Sequence, residues 1–153
     1  MQAQVNEKLY FARWLLDQAD QSTEQGARTA LLQSAVLQLA IGYRCYLREI
    51  AERQRLEISA DTAFAAAARL SDRVIPELSE LAALEQADAW PARLLAARDD
   101  ILEPSPGASR GAIDAQAIQL TDVTRALAPE QVRQWLSAFQ RLLEGQREQA
   151  QEW

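Results

Sequence analysis

Residues 31–50 read LLQSAVLQLAIGYRCYLREI, the longest apolar stretch in the chain, and it is apolar on two faces rather than one. Leu31, Ala35 and Gln38 fall on one side of a helix; Leu32, Val36, Leu39, Tyr43 and Tyr46 fall on another. A helix wet along one side carries a single stripe, so this pattern predicts a long helix through the middle of a bundle, from about Glu24 to Leu56. Gly42 weakens such a helix relative to Ala, and a neighbouring helix crossing close to the backbone explains it.

The flanking segments supply the rest of the bundle. Val5, Leu9, Ala12, Leu16 and Ala19 recur at 4-3-4-3 spacing and predict a first helix over roughly 3–20, with Phe11, Trp14 and Leu15 widening its stripe. Ser59 or Asp61 offers an N-cap for a third helix. Its apolar phase runs through Phe64, Ala68, Ser71, Ile75, Leu78 and Ala82 and crosses Pro76. Proline inside a helix removes a hydrogen bond and clashes with the preceding turn, so one kinked helix or two abutting ones are expected, with the unbroken phase favouring the kink. Pro91 opens a short helix reaching about Leu102. Residues 103–112, EPSPGASRGA, are an expected exposed loop, and 113–127 read as irregular structure or a weak helical turn.

The last helix starts at Pro129, with Val132, Trp135, Leu136, Phe139, Leu142 and Leu143 as its stripe. Trp153 follows Trp135 by five full helical turns, and Gln146 and Ala150 lie on the same line. Two readings stay open for Trp153: it folds onto its own bundle, or the stripe outruns the core and docks a second chain. The expectation is an all-α, up-and-down bundle of four to six helices, kinked or broken near Pro76, in one domain over 1–153. The 29 alanines support it, since alanine loses no side-chain entropy in a helix.

Both termini carry a resemblance. VNEKLYFARWLL near the start and FQRLLEGQREQAQEW at the close resemble a family of small helical gammaproteobacterial proteins of unknown function. Its members end in a Gln/Arg/Glu-rich helix finishing in Glu-Trp, matched here by Gln146, Arg147, Glu148, Glu152 and Trp153. The resemblance implies no activity.

Chemistry is bounded by what is missing. The chain has no histidine, which removes the usual general base and the commonest metal ligand, and with them Ser-His-Asp, Cys-His and Glu-x-x-His di-iron machinery. RNase-like helical toxins built on an Arg–His motif drop out for the same reason. Cys45 is the only cysteine, too few for zinc or an internal disulfide. It lies near Arg44 and Arg48, which can lower a thiol's pKa, but reads best as a small buried hydrophobe. A net charge of −6 argues against a nucleic-acid partner, although a local basic patch remains compatible with it. No apolar run spans a membrane, and the opening residues do not read as a signal peptide, so the expected setting is the cytoplasm.

The remaining candidates are carboxylates three apart on helices: Glu49 with Glu52, Glu77 with Glu80, and Asp99, Asp100 and Glu103. Facing acidic pairs can hold Mg²⁺ and a nucleotide's phosphates. Here they lack the extra acid and the basic phosphate clamp expected of such sites, and solvated helix faces explain them better. Arg110 in the loop reads as a solubilising residue. The expected role is therefore contact without catalysis, with no catalytic residue and no cofactor: an adaptor or self-associating module using Trp135, Phe139, Leu142, Ala150 and Trp153 as its surface. A Mg²⁺-dependent nucleotide phosphohydrolase using Glu77, Glu80, Asp99, Asp100 and Glu103 is the alternative, and a small-ligand pocket between helices is a third.

Overall fold

The structure, a computed structural model, describes residues 2–57, 74–104 and 127–151. Five helices occur among them: α1 (Gln2–Gln21), α2 (Gln25–Gln54), α3 (Pro76–Gln86), α4 (Trp90–Leu102) and α5 (Pro129–Gln151). The all-α class expected from the sequence is what is found. The proposed cap at Ser59 or Asp61, the helical phase before Pro76, most of the expected 103–112 loop with Arg110, residues 113–126 and Trp153 lie outside the described residues.

Helix α2 packs against all four other helices, as its two apolar faces require. Its start is closed by Glu24, whose carboxylate accepts from the backbone N–H of Gly26 at 2.9 Å and of Ala27 at 2.7 Å. A carboxylate there satisfies two otherwise unpaired donors at the positive end of the helix dipole. Its end is a Schellman turn. Arg55 takes the left-handed conformation (φ 55°), its N–H reaching Glu52 O, while Leu56 N–H reaches Ala51 O.

Gly42 is where α1 crosses α2. A Cβ built at Gly42 would stand 3.3 Å from Lys8 Cβ and 3.6 Å from Phe139, the close approach expected from the sequence. Val5, Leu9, Ala12, Leu16 and Ala19 all turn into the core, so the 4-3-4-3 line is the buried one. The widening of that stripe is corrected in part. Leu15 packs against the core at partial exposure, but Phe11 and Trp14 are exposed. Trp14 stands about 160° around the helix from Leu16, on the outer side.

No kinked helix runs through Pro76; a helix begins there. Ile75 is extended (φ −109°, ψ 113°) and Pro76 sits in the first turn of α3, where its missing N–H loses nothing. Pro91 and Pro129 likewise occupy first turns, of α4 and α5. Helix α5 runs antiparallel to α1, tied by Arg133 to Asp17 and Asp20 at one end and by Arg147 to Asn6 at the other. The core gathers around Phe139, which stacks on Trp90 at 5.2 Å and meets Tyr43 and Tyr46 edge-on at 6.0 and 6.1 Å.

Candidate interaction surface

Of the α5 stripe expected as the contact surface, Trp135 and Phe139 are spent inside the chain. Trp135 is 5% exposed and Phe139 fully buried, Leu142 packs at the edge of the core, and Ala150 lies at partial exposure beside Gln146. The physical reason is that α1, α2 and α4 already cover this face. Gln146 belongs to the same line and is buried, and it needs partners there. Tyr46 OH donates to its Oε1 at 2.6 Å, and its Nε2 donates to Glu80 Oε2 at 2.6 Å.

That bond sits in a polar cluster joining α2, α3 and α5. Arg147 makes a two-pronged pair with Glu49 at 2.9 and 3.2 Å, and Arg53 pairs with Glu77 at 3.1 Å. Burial pushes the Tyr46 hydroxyl up to about 12; Glu49 and Glu77 reinforce the shift and the Arg53 and Arg147 charges oppose it. Tyr43, whose hydroxyl donates to Glu85 at 2.5 Å, is raised as well, first by burial and then by that carboxylate.

The cluster also decides the fate of the acidic candidates. Glu77 is neutralised by Arg53 and Glu80 is held by Gln146, while Asp99 is bonded by its neighbour Arg98 at 2.8 Å. Asp100 and Glu103 are exposed on α4 and just after it. Among the described residues no three His, Cys, Asp or Glu side chains gather closely enough to hold a metal ion, so these five do not form the metal site the alternative needs. Glu49 serves Arg147, and Glu52 is exposed. Cys45 is a free thiol at partial exposure against the core.

A different face carries exposed apolar surface. Six large apolar side chains are exposed among the described residues: Val74 and Leu102 stand at element ends, whereas Tyr10 (63%), Phe11 (39%), Trp14 (51%) and Ile41 (43%) lie along the α1/α2 pair. Tyr10, Phe11, Trp14, Leu15 and Gln38 line an open groove of ≈ 440 Å³. Ile41 follows Gln38 by three residues, one turn along the same side of α2. The Tyr10 and Phe11 rings lie 6.0 Å apart, and the Lys8 ammonium stands 5.2 Å over Phe11. Gln38 Oε1 is enclosed and accepts no hydrogen bond among the described residues. An enclosed acceptor left unpaired costs about 1–3 kcal/mol. On the other flank of Tyr10, a second groove of ≈ 370 Å³ between α1 and α5 is lined by Asn6, Arg13, Gln140, Glu144 and Arg147.

Sequence reasoning missed this face by assigning Phe11 and Trp14 inward. The signal was their angle: both fall well outside the arc spanned by Val5, Leu9, Ala12, Leu16 and Ala19.

These features define the class first: an all-α bundle whose polar cluster is internally paired and whose exposed aromatic side chains, among the described residues, gather on α1. A family model described as a family of unknown function (DUF6586) matches residues 1–153, and the chain belongs to that family. No curated protein and no solved structure matches it.

Proposed function

We propose that this chain is a non-catalytic interaction module whose docking face is the outer side of α1 and α2, anchored by Tyr10, Phe11, Trp14 and Ile41. The observation that carries this reading is the gathering on one face of four of the six large apolar side chains exposed among the described residues. Single exposed apolar residues are ordinary on a protein surface, whereas a contiguous group rimmed by polar residues marks an interaction site. Trp and Tyr supply large anchoring area with few rotamers to freeze, which is why they dominate interface energetics. The surface therefore moves from α5, where the sequence suggested it, to α1. A gammaproteobacterial cytoplasm is the setting we assign it, on the terminal resemblance and a lone free cysteine.

The test is affinity capture from native extract with the full chain, its Trp14→Glu variant and a Val74→Glu control. Proteins retained by wild type and the control but released by Trp14→Glu support the reading. Identical retention by all three contradicts it.

A further inference from the structure

We draw no further inference here: the strongest candidate, the exposed apolar patch along α1 and α2 around Tyr10, Phe11, Trp14 and Ile41, belongs to the docking face already proposed, and nothing in the structure shows what covers it.

Discussion

Two glycines show how strongly a helical position depends on what it faces. At Gly42 a methyl would press to 3.3 Å on Lys8 Cβ, an atom fixed to the α1 backbone, so α1 itself must give way. Alanine's better helix propensity recovers about 0.5–1 kcal/mol, less than the 1–3 kcal/mol typical of overpacking. Gly42→Ala should therefore destabilise by about 1 kcal/mol and lower the melting temperature by about 3 °C. At Gly145 nothing lies within 4 Å of the added carbon, and the propensity term acts alone. Gly145→Ala should stabilise by about 0.5–1 kcal/mol, so the two identical changes move urea midpoints in opposite directions. Tyr46 makes a pH prediction at the same scale. Its hydroxyl, raised to about 12 from the ordinary 10, holds its proton longer folded than unfolded. The stabilising contribution is thus complete below pH 10 and is lost as pH rises through 12, with Tyr43 acting in the same direction. Unfolding free energy measured from pH 9 upward should fall less steeply in Tyr46→Phe than in wild type.

At the scale of the helix, the ends hold the most legible unused stability. Arg55 and Asp88 both take left-handed backbone (φ 55° and 53°) where α2 and α3 stop, a conformation that strains a residue bearing a Cβ. Arg55→Gly should stabilise by about 0.5–1 kcal/mol, read as a higher melting temperature with unchanged helical circular dichroism. The starts were readable in the sequence because proline and periodicity encode them directly. Pro91 and Pro129 each opened a helix where expected, and the buried line of α1 was the predicted one. Pro76 was harder to place. An unbroken apolar phase on both sides argued for a kink, yet Ile75 is extended; phase records which face a segment buries and carries no information on whether the backbone between two buried residues remains hydrogen-bonded.

For the whole molecule, the sequence showed which segments are amphipathic and left open which apolar residues are surplus to the core. Helix α5 has the cleanest stripe, and that made it a candidate docking surface, but Trp135 and Phe139 complete a core that all five described helices share. Helix α1 carries more aromatic surface than one buried line can absorb, and Tyr10, Phe11 and Trp14 are what remains outside. Only the assembled bundle separates the two, because coverage depends on neighbours that periodicity does not name. Paired tryptophan truncations compare them on one scale: thermal unfolding of Trp14→Ala and Trp135→Ala beside the wild-type chain. Trp135→Ala should lower the melting temperature by about 10 °C, from the 3–5 kcal/mol typical of a large aromatic removed from a core, whereas Trp14→Ala should stay within about 3 °C. If Trp14→Ala falls as far as Trp135→Ala, the aromatic side of α1 is already covered within the folded chain and is no docking face.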